Sequence, residues 1–423
     1  MNDGDAYLDI VWRQFKKNRF ALLSFWSCGL LMLAAIFAPL LASDIPFVYH
    51  DGPQTIYPWF NALFHPTQAI DLVFNMSLIA FFPWMIFALA TNGWTKRRGV
   101  AGRKRIGWLT LEFILLTVVM LFVARTPRIV HWNPYGLRDF PAEQTDDPQS
   151  RSGIYAPLPF GPTEQDLDQS HISPESSAHP PKVLVKFNQR HTHWLGTANL
   201  GEDVLTQMIY GTRISMTVGL VAVSITLAIG LLAGAIAGFF GGIVDMIISR
   251  VIEIVLLFPA LFLILTLVGL LSPDPQNSEQ GGERLYIAMV VIGITSWPSV
   301  ARLTRGEVLK QRSLDYTLAA QAVGASSWRI MFRHVLPNSL SPALVSIPFG
   351  MSGAIVAEAS LSLLGFGAEP GQPSWGSLLH QANDNYHYWW LVVFPSLAIF
   401  FTVTVFNLVG NGLRDAMDPR LRI

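Results

Sequence analysis

The chain has 423 residues, of which 51% are hydrophobic and 14% are charged. Soluble domains carry about 25% charged residues, so this composition excludes an ordinary soluble protein and indicates a helical membrane protein. The 29 basic and 29 acidic side chains cancel, so no nucleic acid or other polyanionic partner is expected. Because Cys28 is the only cysteine, the chain can form neither an internal disulfide nor a thiolate metal site.

Eight apolar runs are long enough to cross a hydrocarbon core of about 30 Å. They occur near residues 21–41, 72–90, 108–124, 215–238, 250–272, 285–302, 342–366 and 389–411. The first run follows four basic residues but is too long for a signal peptide, so residues 21–42 are interpreted as an uncleaved first span. The sequence therefore predicts an all-α integral membrane protein, a polytopic bundle of about eight transmembrane helices.

Basic residues alternate from loop to loop. They cluster in the first 20 residues, in the loops at 91–107 and 303–341, and in the C-terminal tail, whereas the 367–388 loop has none. Because cytoplasmic loops carry the excess of Lys and Arg, these clusters predict that both termini are cytoplasmic. We expect a multi-pass protein of the bacterial inner (cytoplasmic) membrane, with residues 1–20 as a cytoplasmic tail and 126–211 as a long periplasmic segment.

The periplasmic segment has two parts. Up to Pro181 it is rich in Pro, Ser, Asp and Gln, which predicts an extended or loosely folded loop. Closer to the fourth span, residues 203–210 can form an amphipathic helix that lies on the outer surface of the membrane. His191 and His193 are possible metal ligands, but the sequence offers no third ligand beside them. Packed or solvated histidines are therefore the favoured alternative, and no metal site is predicted.

Four glycines recur at every fourth position in the fourth span: Gly230, Gly234, Gly238 and Gly242. This spacing places them on one helix face, where glycines let a neighbouring backbone approach closely. They predict tight helix packing and no chemistry. The Gly241-Gly242 pair also predicts a short inner turn to the next span.

Three of the charged residues within predicted spans are candidates for function. Arg250 and Glu253 have i,i+3 spacing and can pair, so they are either a structural ion pair or part of a gate. Glu358 lies deeper, and an intramembrane carboxylate is a functional candidate by default; the alternative is that it holds two helices together. All three are candidates for a solute pathway or its gating.

The polar and basic segment before the seventh span predicts two short helices with a glycine corner. Ser313 is a candidate N-cap, and Gly324 occupies the position where a glycine ends a helix. Ser326 or Ser327 can cap the second helix, and Pro337 is expected to stop it.

This segment resembles the EAA loop of ABC-importer permeases, which has the pattern Glu-Ala-Ala, three residues, Gly, and later Leu-Pro. Ala319, Ala320 and Gly324 match that pattern. Leu318 stands where the family has glutamate, so a salt bridge from that glutamate is not expected. The resemblance implies that an ATPase-docking surface is formed by Leu318, Ala319, Ala320, Ala322, Gly324, Ala325, Ser326, Arg329, Arg333, Leu336 and Pro337.

Further runs resemble signatures of the dipeptide/oligopeptide branch of these permeases. Residues 193–215 resemble HPLGTDxLGRDxLSRxxxGxRxS, with Arg213 in place, and residues 357–367 resemble AEASLSFLGLG. Shorter runs resemble the GYYGGxxD turn, the PSWG motif and the RDAxDPR ending, at 239–245, 374–377 and 415–419.

The resemblance covers residues 10–42 and 191–423 and implies the permease subunit of a type I ABC importer for peptides or related solutes. It implies a core of five spans at 212–423. The implied partners are a second homologous permease, one or two ABC ATPase subunits, and a periplasmic or lipid-anchored solute-binding protein. No cofactor is expected on this chain, and ATP and Mg²⁺ are expected on the ATPases. Residues 43–125 fall outside the pattern and predict an inserted module with two extra spans.

Two other classes of function were compared with this one. No Gly-Lys dipeptide for a phosphate-binding loop and no His-Glu-x-x-His motif occurs, which disfavours an ATPase or a membrane enzyme with a catalytic residue cluster. A stand-alone, ion-coupled secondary transporter is the main alternative. Such transporters place several charges at mid-membrane and often contain inverted repeats, whereas here Glu358 is the one deep charge and no repeat is visible.

Overall fold

The computed structural model describes the chain over residues 7–51, 54–64, 66, 68–97, 102–124, 151–165, 167, 170–174, 185–186, 189–190, 192–272, 283–368, 372–384 and 387–418. The chain divides into two compact units. The first comprises Met1–Leu31 and Ser215–Ile423, and the second comprises Met32–Ile214.

Within the described ranges, five helices are long and apolar enough to cross a membrane. They are α2 (Arg19–Leu41), α6 (Val204–Phe240), α9 (Glu283–Arg312), α13 (Leu340–Leu363) and α15 (Trp389–Met417). Each contains most of one predicted apolar run. The predicted all-α, multi-span architecture is confirmed.

The helix of the predicted span at 250–272 is broken in the structure. The chain forms α7 (Gly242–Leu257) and α8 (Ala260–Leu271), which are bent by 89° relative to each other. Pro259 lies at the break, where its missing N–H and fixed φ prevent the helix from continuing. The pair counts as a sixth span if it crosses the membrane as a broken helix, and otherwise forms a re-entrant loop.

Residues 43–125, the predicted inserted module, contain two further helices, α4 (Ala69–Arg97) and α5 (Gly102–Ala124), which pack together. Trp84 donates from its indole nitrogen to the carbonyl oxygen of Leu109 at 2.8 Å. Their apolar stretches are Ala69–Met85 and Leu109–Leu121, which are shorter than a full span. A total of eight spans therefore stays a prediction. Most of the predicted 91–107 loop is helical, because α4 ends at Arg97 and α5 begins at Gly102.

The second unit also contains small β structure. The strands β1 (Val48–Asp51), β2 (Gln54–Ile56) and β3 (Arg151–Ile154) form an antiparallel sheet in the order β2-β1-β3. The short helix α3 spans Pro58–Ala62, and β4 (Val185–Lys186) pairs with β5 (Gln189–Arg190). Residues 151–154 are thus paired in a sheet, so the backbone there is extended rather than loosely folded, the two alternatives that the sequence left open.

The amphipathic surface helix predicted at 203–210 is not a separate element. These residues belong to the start of α6, which runs for 37 residues without a break. The Oδ1 atom of Asp203 accepts from the backbone N–H of Thr206 at 2.7 Å, as an N-cap side chain does. Gly211 lies between residues 204–210 and the fourth apolar run, but one glycine costs a helix only about 1 kcal/mol, and the helix continues through both.

In the first unit, α13 packs against α9 and α15. The N-terminal tail is helical as α1 (Tyr7–Phe15), and it packs on α15. Val11 and Phe15 are buried with Ala21, Ala416 and Met417. The tail is therefore part of the packed unit.

Candidate functional site

The segment that resembles a docking loop folds as two short helices with a glycine corner. The first helix is α10 (Asp315–Ala322), and the second is α11 (Ser327–Ile330), followed by a π turn at Met331–Val335 and α12 (Leu336–Asn338). Gly324 has φ +83°. Its backbone N–H donates to the backbone carbonyl of Gln321 at 2.9 Å, and the N–H of Ala325 donates to the backbone carbonyl of Ala320 at 3.1 Å. These two bonds are those of a Schellman motif, in which glycine accepts the left-handed position.

Three details of the predicted segment differ in the structure. Leu314, not Ser313, is the N-cap of α10, and the Ser313 hydroxyl donates to the carbonyl of Lys310 instead. Ser326 is the N-cap of α11, but its side chain makes no capping bond. Pro337 does not stop the helix, because the chain stays helical through Asn338.

The segment has a packed inner face. Ile330, Met331 and Val335 are buried against Ala235, Phe239 and Val308 of α6 and α9. Among the predicted docking residues, Ala320, Ala325 and Leu336 are half-buried and pack against this cluster. The cluster fixes the segment to the C-terminal ends of α6 and α9.

The opposite face exposes large apolar side chains. Their exposed fractions are 51% for Leu318, 88% for Val323, 54% for Trp328 and 45% for Phe332. These four residues are called the apolar face below. The rings of Trp328 and Phe332 stack at 5.8 Å. The other predicted docking residues are also exposed: Ala319, Ala322, Gly324, Ser326, Arg329, Arg333 and Pro337.

Two arginines of α9 connect the base of this segment to the neighbouring helices. The guanidinium of Arg305 makes two hydrogen bonds to the carboxylate of Asp245 at the start of α7, one of them 2.7 Å from Nη2 to Oδ2. Nη1 of Arg312 donates to the carbonyl of Phe239 near the end of α6 at 2.7 Å. Sequence analysis did not identify these contacts as part of the site.

Three of the four predicted packing glycines lie against α9. A Cβ atom on Gly230, Gly234 or Gly238 would be 2.7, 2.5 or 2.8 Å from the nearest atom of that helix. The prediction for Gly242 is wrong, since α6 ends at Phe240. Gly242 begins α7 with φ +56°, and no atom lies within 4 Å of the Cβ position.

The charged residues of the spans occupy two different environments. Nη1 of Arg250 is 2.6 Å from Oε2 of Glu253, with side chains 72% and 57% exposed. Glu358 is fully buried, and its Oε1 accepts from the hydroxyls of Ser362 at 2.7 Å and Ser374 at 2.9 Å. Ser374 is also the N-cap of α14 (Trp375–Gln381), in a capping box with Ser377. Glu358 therefore joins α13 to α14.

In the second unit, His193 is packed rather than solvated. Its Nδ1 lies 2.9 Å from Oδ2 of Asp203, and its ring stacks on Phe160 with centroids 4.2 Å apart. Burial raises the pKa of the nearby Glu202 carboxyl. His191 lies outside the described residues. Over the part of the chain that the structure describes, no three His, Cys, Asp or Glu side chains form a group that could hold a metal ion.

Comparison with known proteins gives the family. A family model described as "binding-protein-dependent transport system inner membrane component" matches residues 230–423, and "N-terminal TM domain of oligopeptide transport permease C" matches residues 6–62. The di/tripeptide permease DppC of Pseudomonas aeruginosa is 37% identical over 64% of this chain and 84% of its own length. The chain belongs to this family of binding-protein-dependent permeases. It is a permease subunit of an ABC importer.

Other relatives agree with this assignment. The glutathione permease GsiD of Pectobacterium atrosepticum is 39% identical to this chain, over 54% of this chain and 73% of its own length. The dipeptide permease DppC of Escherichia coli K12 is 42% identical over 54% and 74%. Residues 63–229 lie outside both family matches, and they include most of the inserted module.

Two solved transporters were also found. An amino acid ABC transporter with histidines is 17% identical, with 49% of this chain and 92% of that chain covered and a TM-score of 0.36. The methionine transporter MetNI, in inward-facing conformations, is 14% identical, with 49% and 96% covered and a TM-score of 0.37. Because these scores are low, the assignment of the permease depends on its sequence relatives.

Proposed function

We propose that this permease subunit forms, with a second homologous permease, a path for short peptides or peptide-like solutes that a solute-binding protein delivers. We also propose that residues 314–337 dock onto cytoplasmic ATPase subunits, which hold the ATP and Mg²⁺. The observation that carries the proposal is the apolar face, exposed on a segment whose other side is packed on α6 and α9.

The apolar face supports docking for an energetic reason. Burial of apolar surface contributes roughly 25 cal/mol per Å², so four large exposed side chains on one folded segment favour a partner that covers them. Leu318 fits this view, since a leucine in the place of the family's glutamate adds apolar surface where a salt bridge is absent.

The two arginine contacts support a route from the docking segment to the spans. The segment follows α9 directly, and α9 is bonded to α7 through Arg305 and Asp245 and to the end of α6 through Arg312. We propose that a displacement of the segment moves these three helices together. Hydrogen bonds from a charged guanidinium suit this role because they are stronger than neutral bonds and directional.

The exposed ion pair of α7 indicates which side of that helix lines the solute path. A charge that faces lipid near the bilayer centre costs about 2.5–3.5 kcal/mol on insertion scales. Arg250 and Glu253 are both more than half exposed on a helix that is apolar apart from them, Asp245 and Ser249. We propose that this side of α7 faces the aqueous path. Glu358, by contrast, is proposed to fix α14 to α13, because its side chain is buried and bonded to both helices.

The solute class is proposed from the relatives. Those named above are described as glutathione, dipeptide and di/tripeptide permeases, and glutathione is itself a tripeptide. Short peptides are therefore the proposed cargo.

Reconstitution tests this function. When the permease is co-expressed with a second permease and ATPases of the same organism and placed in proteoliposomes, with the solute-binding protein outside, short peptides should accumulate inside only when ATP is enclosed on the side of the ATPases. A proton ionophore should leave this uptake unchanged. Uptake that needs no ATP and collapses with the ionophore would instead establish the ion-coupled alternative.

The proposed topology has a direct test in intact cells. In a Cys28→Ser background, Ser313→Cys is expected to stay unlabelled by an impermeant maleimide, because the docking segment is proposed to be cytoplasmic. Tyr57→Cys, whose parent side chain is 62% exposed in the second unit, is expected to react. Permeabilised cells should label both positions. The reverse pattern in intact cells would contradict cytoplasmic termini.

A further inference from the structure

One carbonyl group near the end of helix α2 has no hydrogen-bond donor within the helix. Pro39 lies inside the helix and has no N–H, so the carbonyl of Ala35, four residues earlier, loses its usual intrahelical donor. A buried carbonyl without a donor is costly. Ala35 is fully buried, so the missing donor must come from another part of the chain.

Arg213 of α6 supplies that donor. Its Nε donates to the carbonyl of Ala35 at 2.7 Å. The Arg213 side chain is 1% exposed, and its guanidinium carbon lies 5.2 Å from the ring centroid of Phe74 and 5.0 Å from that of Tyr210. The arginine thus brings a full positive charge into a closed apolar site, where it needs an anion and filled hydrogen bonds.

The inserted module provides the anion. Nη1 of Arg213 is 2.6 Å from Oδ1 of Asp71, and Nη2 donates to Oδ1 of Asn75 at 3.1 Å. Asp71, Phe74 and Asn75 all lie in the first two turns of α4. Arg213 belongs to the run that resembles the family signature, whereas its partners belong to the insertion, which the family pattern lacks.

Three further bonds tie the same elements. Nε1 of Trp59, in α3, donates to the carbonyl of Pro39 at 2.9 Å. The hydroxyl of Tyr210 donates to the carbonyl of Ala42 at 3.0 Å, and Nδ2 of Asn75 donates to the carbonyl of Leu63 at 3.1 Å. The carbonyl groups at the end of α2 therefore accept hydrogen bonds both from α6 and from the predicted insertion.

We propose that the inserted helix α4 is an integral strut of the permease rather than an appended module. Asp71 and Asn75 are its positioning residues. They allow Arg213 to stay charged and buried, and Arg213 in turn holds the start of α6 to the last turns of α2, which contain Pro39. A module that was only appended to the permease would not be expected to supply the counter-ion of a buried arginine of α6.

The test is a double-mutant cycle on the purified full chain in detergent, read by thermal unfolding. Asp71→Leu leaves the arginine buried without its anion, so the unfolding temperature should fall by roughly 5–10 °C. Arg213→Met should lower it in the wild-type background. In the Asp71→Leu background the same Arg213→Met change should raise it, because no unpaired charge then remains buried.

The control is the exposed pair Arg250 and Glu253, which has the same 2.6 Å separation. Arg250→Met and Glu253→Leu should each shift the unfolding temperature by no more than about 2 °C. If Asp71→Leu is too unstable to purify, the amount inserted in membranes gives the same comparison, with Arg213→Met restoring it. The structural role proposed for α4 would be contradicted if Arg213→Met lowered the readout equally in both backgrounds, or if Asp71→Leu did not lower it. Neither readout requires transport, so the result is independent of the proposed function.

Discussion

Gly324→Val is expected to stop uptake and release the ATPase subunits while the permease stays in the membrane. The residue has φ +83°, a conformation that costs a non-glycine residue about 1–2 kcal/mol, and a β-branched side chain is among the least tolerated there. Among the described residues, no atom lies within 4 Å of the Cβ position, so the side chain itself fits. The effect must therefore come from a shifted corner or from contact with a docked partner.

Affinity purification through a tag on this chain measures the outcome, together with peptide uptake. Gly365→Val is the matched control, because Gly365 has φ +82° at the end of α13, away from the docking segment. It should retain the ATPases. Gly324→Asn should keep part of the activity, because asparagine tolerates the left-handed region better than valine. ATPases that remain bound to Gly324→Val, with normal uptake, would exclude this segment as the coupling element.

The sequence predicted the features that depend on neighbouring residues. Apolar runs of span length identified five helices, and the three glycines from Gly230 to Gly238 predicted a packed face, because both patterns follow from helix periodicity alone. The glycine corner at Gly324 was also predictable, since few other residues accept a left-handed helix end.

Contacts between distant residues could not be predicted in this way. Arg213 and Asp71 are 142 positions apart, and Arg305 and Asp245 are 60 apart. One sequence contains no signal that pairs such residues. Local patterns also failed where two interpretations competed. Gly242 continues the four-residue spacing, yet the preceding Gly241 has φ +66°, which ends α6 before the spacing can apply.

Gly234→Leu is expected to separate α6 from α9. A Cβ atom at this position would lie 2.5 Å from the carbonyl oxygen of Ala301 and 3.0 Å from the backbone nitrogen of Arg305. Backbone atoms cannot turn aside as a side chain can, so the helices must move apart. Overpacking of this kind costs about 3 kcal/mol or more at a rigid site.

The same movement should uncouple the docking segment. Ala235 and Phe239, which follow Gly234 on α6, form the buried cluster beneath that segment together with Val308 of α9. We therefore expect Gly234→Leu to lower the unfolding temperature by roughly 5–10 °C and to reduce uptake by more than tenfold. Gly306→Leu is the matched control, since Gly306 lies in α9 with no atom within 4 Å of its Cβ position. Leucine is the better helix former there by about 0.5–1 kcal/mol, so this control should unfold at the same or a higher temperature. If both variants unfold at the same temperature, the glycine face of α6 does not pack against α9. The docking segment would then not be held by the buried cluster between these two helices.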